Sequence, residues 1–258
     1  MKFSAFISVF ATLLLATGLA TCANAAELKT FATNAVKTAL EDLLPKLEEA
    51  TGNKLLISSS TAAMLSKRVQ DGEAVDVLIL TKPALDGLAK EGKAIVEPDA
   101  VFASTGIAVA VRSGAAKPDI STPEAFKRAI IEAKSVAFSD PATGAASGVY
   151  IAKLMERLGI AEEVKRKTKY PPADGFTANL LVSGEADLAI QLEPEIASVA
   201  GVEKVGRLPA ELNNVTMLAA GLGKDSKNQD AGRKVLKYLH SSDAVAVFEA
   251  HGVTPEGQ

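Results

Sequence analysis

The stretch VAFSDPATGAASGVYIAKL, residues 136–154, decides how the chain is read. Residues 135–138 are an apolar run of the length of a buried strand, a loop of small residues follows over 139–148, and a helical pattern begins at Val149. Small residues let a ligand approach the backbone closely. A helix N-terminus presents unpaired N–H groups with partial positive charge. Ser147 and Gly148 stand where those groups would point. Taken alone, the stretch equally describes an ordinary strand-to-helix loop punctuated by glycine. Its weight comes from repetition, because the chain builds similar openings several times.

Upstream, residues 28–31 form a short strand candidate with Thr33-Asn34 as capping residues. Val36, Leu40, Leu43, Leu44 and Leu47 then recur at helical spacing, and Pro45 inside the pattern predicts a bend or restart. A strand over 55–58, a polar helix opening at 58–61 and a helix over 62–70 come next. Residues 75–80 are nearly all apolar, as in a parallel sheet covered on both faces, and Lys82-Pro83 ends that strand before a helix at 84–90. This β-α-β-α-β-α order specifies an α/β fold with a mostly parallel sheet.

The rhythm changes at Val101. Residues 107–111 are apolar and continuous, yet no helix follows them directly. Downstream, the pattern predicts helices over 123–133 and 149–158 and a strand over 165–170 leading into Pro171-Pro172 and Asp174-Gly175. A helix over 177–182, a buried strand over 188–191, an apolar strand over 215–222 and helices over 230–239 and 242–251 complete the chain. The implied architecture is two α/β lobes, the second inserted into the first, with two crossing strands near Ile107 and Met217. Lobe 1 is expected over 26–107 plus 222–258 and lobe 2 over 108–221.

Residues 1–25 read as a secretory signal. Lys2 precedes an apolar segment, 6–19, that is short for a membrane span, and Ala23-Asn24-Ala25 fits a cleavage site. The single cysteine, Cys22, falls inside it, so the mature chain carries no thiol chemistry. The chain has 28 Lys and Arg against 31 Asp and Glu, and loss of Lys2 brings the net charge to −4. With no strongly basic face, a nucleic-acid partner is not expected. No other apolar run approaches membrane length, so the expectation is a soluble periplasmic protein without a membrane span.

In open α/β sheets, ligands bind at the carboxyl ends of the strands. Four such ends carry small or polar residues entering a helix: Thr33-Asn34, Ser60-Thr61, Ser147-Gly148 and Gly175-Phe176-Thr177. Singly each reads as an N-cap, but converging on one cleft they would bind a small anion through backbone N–H groups. Lys82 stands at a fifth strand end, where it can pair with a ligand carboxylate or reach solvent. Glu193 and Glu195 follow the buried strand, as a catalytic base or as the solvated start of a loop, with Glu193 ranked first because it follows the strand end most closely. Gln191 is polar within an apolar run and needs a hydrogen-bonding partner. Tyr150 can donate to a ligand or simply pack. His240 and His251 lie in the C-terminal helices, far from these openings in sequence. There is no Cys–His metal pattern, phosphate-binding loop or dinucleotide fingerprint, so neither a metal nor an organic cofactor is expected.

The segments FATNAVKTAL, DGEAVDVLIL, SDPATGAASGVYIAKLMERLG and LVSGEADLAI, in that order, resemble the periplasmic molybdate-binding proteins, a branch of the type II solute-binding proteins of ABC transporters. The likeness covers essentially the whole mature chain. It implies a two-lobed type II periplasmic-binding-protein fold of mixed, mostly parallel sheets, hinged by two crossing strands and closing over a ligand, with an ABC permease as partner if the chain is a receptor. The ligand shell departs from that pattern. Serines expected at the first two helix starts fall on Ala35 and Ala63, the tyrosine expected after strand 188–191 falls on Leu192, and the loop around 144–148 is one residue longer. Asn34, Thr61, Lys82 and Gln191 remain near the openings, a set that suits a small carboxylate better than a molybdate- or tungstate-type oxyanion. Within this branch the chain is similar to the periplasmic aconitate isomerases in length, export and lack of the oxyanion serines. That resemblance implies a cofactor-independent allylic proton shift between trans- and cis-aconitate. For that reaction the residues read above offer Glu193, Glu195 or Tyr150 as base and Asn34, Thr61, Lys82, Ser147, Gly148, Gly175, Phe176 and Gln191 around the substrate.

Overall fold

The computed structural model describes residues 25–172 and 175–256. The expected signal segment, apart from Ala25, and Asp174 of the predicted turn lie outside the described residues. The first half alternates as its sequence predicts: β1 (Glu27–Thr33), a 3₁₀ turn at Asn34–Val36, α1 (Lys37–Thr51), β2 (Lys54–Ser60), α2 (Ala62–Gln70), β3 (Val77–Thr81) and α3 (Lys82–Lys90). Leu40, Leu43 and Leu47 of α1 are buried, and Gly52 closes the helix in the left-handed conformation at φ 67°. The helix is a single element through Pro45, with no restart there. Pro45 falls outside the buried stripe, where the carbonyl it leaves unpaired can meet water.

After β4 (Ala94–Ile95) and β5 (Val101–Thr105), the chain continues through β6 (Ile107–Arg112), α4 (Pro123–Glu132), β7 (Val136–Ala137) and α5 (Ala146–Arg157). It goes on through α6 (Ala161–Lys165), β8 (Thr168–Lys169), α7 (Asn179–Ser183), β9 (Leu188–Leu192), α8 (Glu193–Ala197) and β10 (Val202–Arg207). β11 (Thr216–Gly223), α9 (Gln229–Tyr238), α10 (Ser242–Ala250) and β12 (Thr254–Pro255) complete it.

The strands form two sheets. One has the order β12-β5-β11-β3-β1-β2 with β4 paired to β11, and the other the order β10-β6-β9-β7-β8. β1 runs parallel to β2 and β3, and β7 runs parallel to β8 and β9. Sheet membership changes at Gly106, between β5 and β6, and again between β10 and β11. β11 therefore belongs wholly to the first sheet, whereas the sequence division at 221/222 would cut through it. One apolar cluster runs continuously from Leu28 and Val36 through Ile107 and Leu192 to Ile151 and Leu154, and separate clusters cover the other face of each sheet. Each fully buried large side chain in such a core is worth about 1.5–3 kcal/mol.

Three local features differ from the sequence reading. α5 begins at Ala146 rather than Val149, so Ser147 and Gly148 lie in its first turn. Residues 193–197 form a helical turn rather than an open loop. Residues 165–170 divide between the end of α6 and the two-residue β8. The early start of α5 depends on Gly148. A Cβ there would stand 2.2 Å from the Ser139 carbonyl oxygen, because the helix crosses directly over the backbone leaving β7. Gly148→Ala should destabilise the fold by about 3 kcal/mol or more, beyond what better helix propensity returns. Chemical unfolding measures this, and an unchanged midpoint would contradict the close approach.

Candidate functional site

Parallel strands deliver their carboxyl ends to the same edge of a sheet, and here the two sheets turn those edges toward each other. The cleft between them is lined by Thr33 and Asn34 after β1, Thr61 after β2 and Thr81 at the end of β3. The second sheet contributes Ser139, Asp140, Thr143 and Ser147 after β7, Pro171, Pro172 and Gly175 after β8, and Gln191, Leu192 and Glu195 at β9 and just beyond it. Its cavity volume is about 50 Å³, room for several waters on a scale where one needs about 10–15 Å³. The walls meet closely. Gly144, at φ 72°, approaches Ala63 so nearly that a Cβ would stand 2.9 Å from the alanine methyl, and Lys37 Nζ lies 6.0 Å from the Phe176 ring centre.

Several helix starts face this space without a side-chain cap: the 3₁₀ turn after Thr33, α3 after Thr81, α5 after Ala145 and α8 after Leu192. Their first N–H groups have no intrahelical acceptors and carry the positive end of the peptide dipoles. α2 differs, since the Thr61 hydroxyl accepts from Met64 N at 3.2 Å. Among the described residues, the lining side chains include the carboxyls of Asp140 and Glu195 but no Lys, Arg or His. Asp140 Oδ1 accepts from Ala142 N at 2.9 Å.

Glu195 is the chemically distinctive residue. It lies in the first turn of α8, is buried, lines the cleft, and its Oε2 has no hydrogen-bond partner. Burial pushes its carboxyl up to about 7, against the opposing effect of hydrogen bonds from the Leu192 backbone and the Gln191 side chain. Gln191 finds the partner its sequence context requires, with Oε1 accepting from Thr177 N at 2.9 Å.

The remaining candidates separate. Glu193 does not line the cleft; its carboxylate pairs with Lys204 and Arg207 of β10. Burial raises that carboxyl, but the two cations outweigh burial and the net direction is downward. Lys82 lies outside the lining, half-exposed, with its ammonium on Asp86 one helix turn along α3. The Tyr150 hydroxyl donates to the Leu212 carbonyl at 3.0 Å, which directs it away from the lining. Gly148 and Phe176 adjoin lining residues without lining the cavity themselves, whereas Asn34, Thr61, Ser147, Gly175 and Gln191 do line it. Sequence reasoning missed Thr81, Ser139, Asp140 and Thr143. Thr81 ends an apolar strand, and the DPAT turn follows one directly, which is the same signal that picked out Ser60-Thr61. Among the described residues no group of three His, Cys, Asp or Glu is placed to hold a metal, and no helix is long and apolar enough to cross a membrane.

The two glutamates predict opposite pH effects. Between about pH 4.5 and 7 the folded chain keeps a proton on Glu195 that the unfolded chain has lost, so this group lowers stability as pH rises through that window. The full penalty above it is about 3 kcal/mol. Glu195→Gln should therefore raise the melting temperature at pH 8 and lose that advantage near pH 4. Glu193 has a depressed value, so its contribution is present above the ordinary carboxylate range and is lost on acidification. Glu193→Gln should cost about 1–2 kcal/mol at pH 7, discounted because Lys204 and Arg207 remain half-exposed, and little at pH 3. Thermal unfolding across pH checks both, and parallel stability curves for wild type and variants would contradict the assignment.

Comparison with known proteins places this geometry. An aconitate isomerase from Pseudomonas sp is 31% identical over 255 residues, covering 96% of this chain and 95% of that protein. Among solved structures, the Azotobacter vinelandii periplasmic molybdate-binding protein superposes with a TM-score of 0.72 at 19% identity, over 90% of this chain and 100% of that one. The sulfate-binding protein of Mycobacterium tuberculosis H37Rv gives a TM-score of 0.69 at 17% identity, over 89% of this chain and 87% of that one. The fold is thus the two-lobed one of the periplasmic binding proteins, as the order of the sequence segments implied. The family model described as bacterial extracellular solute-binding protein matches residues 28–254, nearly all of the folded chain, and the chain belongs to that family.

Proposed function

We propose that the protein is a periplasmic aconitate isomerase, interconverting trans- and cis-aconitate in the cleft between its sheets. The observation that carries this reading is Glu195, a buried carboxyl with one oxygen unpartnered, poised near neutrality inside an anion-type cleft. The similarity to an enzyme of that name over 96% of the chain supports it. A receptor that only holds an anion gains nothing from a buried carboxyl against its ligand. A proton-transfer catalyst needs a group whose pKa lies near the working pH.

In the reaction, the ionised Glu195 takes a proton from the methylene carbon of trans-aconitate. The C–H electron pair spreads over the three-carbon allylic system into the attached carboxylates. The same carboxyl returns the proton to the other end of that system, the double bond moves by one carbon, and cis-aconitate leaves. No redox partner is consumed and the base is regenerated. The charge that develops needs donors already in place. The uncapped starts of α3 and α5 and the hydroxyls of Thr81, Ser139 and Ser147 supply them without a lysine or arginine among the described lining residues. Closure of the two lobes about the crossings near Gly106 and before β11 admits the substrate and then excludes water.

Family membership favours a second reading, a solute-binding receptor that passes a small carboxylate, or less readily a molybdate- or tungstate-type oxyanion, to an ABC permease. Incubation with trans-aconitate in heavy water, followed by proton NMR, separates the two. The isomerase forms cis-aconitate. Glu195→Gln should lose about a hundredfold or more of turnover, in line with removal of a general base, while Glu193→Gln and Lys82→Ala stay within about threefold, an effect below ~0.7 kcal/mol. An unchanged spectrum alongside calorimetric binding of aconitate would leave the receptor. Full turnover in Glu195→Gln would overturn the choice of base.

A further inference from the structure

α8 carries Glu195, yet it is only five residues long, too short to stand as a helix on its own. Its hold comes from what surrounds it. At the start, Glu193 N donates to the Gly106 carbonyl at 3.0 Å, where the chain crosses between the sheets. In the middle, Ile196 is buried in the cluster that contains Ala108, Ala110 and Ala189 of the second sheet. At the far end, the Ser198 hydroxyl lies 2.6 Å from the Thr38 hydroxyl. Thr38 belongs to α1, which follows β1 of the first sheet, whereas α8 joins β9 to β10 of the second. The contact thus crosses from one lobe to the other. It stands close in sequence to the cleft on both sides, since Asn34 precedes Thr38 on the one and Glu195 precedes Ser198 on the other.

The hydroxyl protons can be counted. Ser198 Oγ donates to the Pro194 carbonyl at 2.7 Å, and a hydroxyl has one proton, so in that arrangement it accepts from Thr38. Thr38, with its own proton committed, then accepts from His251 Nδ1 at 3.4 Å, while His251 Nε2 donates to Asp42 at 2.8 Å. All four contacts together need an imidazole protonated on both nitrogens. With a neutral imidazole that keeps its Asp42 contact, the chain runs the other way: Ser198 donates to Thr38 and Thr38 to His251 Nδ1. Only the hydroxyl contact to Pro194 is then given up, and Ser198 N still serves that carbonyl at 3.1 Å. The Thr38–Ser198 contact persists in both directions.

We propose that Thr38 and Ser198 form a hydroxyl clasp that positions the base: it holds the far end of α8 on α1 and so registers Glu195 against Thr33 and Asn34, the first-sheet wall of the cleft. Neither hydroxyl belongs to a described lining residue, so both act through Glu195 rather than on the substrate. Because the clasp spans the lobes, it is made when they meet and lost when they part. The inference rests on the reading of Glu195 as the base, but its structural half, the tie on α8, is measured without turnover.

Thr38→Val removes one hydroxyl at nearly constant volume, Ser198→Ala removes the other, and Thr38→Ser keeps the hydroxyl as a rescue. On the full chain, each of the first two should lower kcat for trans-aconitate by about tenfold while KM stays within about twofold, as for a base displaced by a fraction of an ångström. The double variant should be no slower than the slower single one, because both remove the same contact. Thr38→Ser should recover most of the wild-type rate. Amide hydrogen exchange over residues 193–199 is the second readout. It should quicken about fivefold in Thr38→Val and stay unchanged in Thr38→Ser. Unchanged turnover in both single variants, additive losses in the double, or unaltered exchange would overturn the clasp. So would a lowered melting temperature with kcat intact, which would make the pair a matter of stability alone. Absence of isomerisation in the wild type would instead defeat the proposed function, and exchange over 193–199 would still decide whether Thr38 holds α8.

Discussion

At Gly106 the chain leaves one sheet and enters the other, and three hydrogen bonds hold the crossing. The Gly106 carbonyl accepts from Glu193 N at 3.0 Å, Ile107 N donates to Asn213 Oδ1 at 2.9 Å, and the Ile107 carbonyl accepts from Leu208 N at 3.0 Å. The first ties the start of α8 to the crossing itself. The direction of Glu195 is therefore not a loop accident. It follows from the same backbone contact that sets the two sheets against each other, and the apolar cluster running through Ile107 and Leu192 keeps that contact dry.

From this anchor the two glutamates diverge by helical geometry alone. Residues two apart on a helix point about 200° apart. With the backbone of Glu193 fixed at Gly106, one side chain emerges toward Lys204 and Arg207 and the other toward the cleft. The first carboxylate is stabilised by charge and the second is desolvated with one oxygen unpartnered, so two neighbouring identical residues are driven in opposite directions. Environments that push titratable groups apart are what separates a structural ion pair from a group able to exchange protons.

This also explains what the sequence could and could not disclose. The α/β order, the helix at 62–70 and the apolar strands were legible because periodicity and polar openings are local. The convergence of Asn34, Thr61, Ser147 and Gly175 on one cleft was legible in outline, since parallel strands must end on a common edge. The choice between Glu193 and Glu195 was not, because it depends on whether residues 193–197 are helical, and five residues beginning Glu-Pro-Glu carry too little periodicity to decide. Lys82 misled for a related reason. It stands at the strand end as expected, but it is the first residue of α3, and Asp86 four residues on captures its ammonium along the helix. β10 escaped notice because Val202–Arg207 alternates weakly and is half-exposed at a sheet edge.

Holding an anion and moving a proton make different demands on a cleft. Helix starts that hold substrate carboxylates equally in the ground and transition states lower KM without raising kcat, and they accelerate the reaction only where they meet charge that develops along it. Rate acceleration needs a group whose interaction changes along the reaction. In a cleft with no cationic side chain among its described lining residues, a carboxylate brought beside Glu195 would raise the energy of its ionised form further. Under the proposed reaction, transfer of a proton from carbon to Glu195 would remove that repulsion while the departing charge spreads toward the helix starts. The desolvation that costs the fold stability above neutral pH would thus be recovered as the proton moves. The same buried carboxyl that would weaken a receptor would, under the proposed reaction, give the cleft its chemistry.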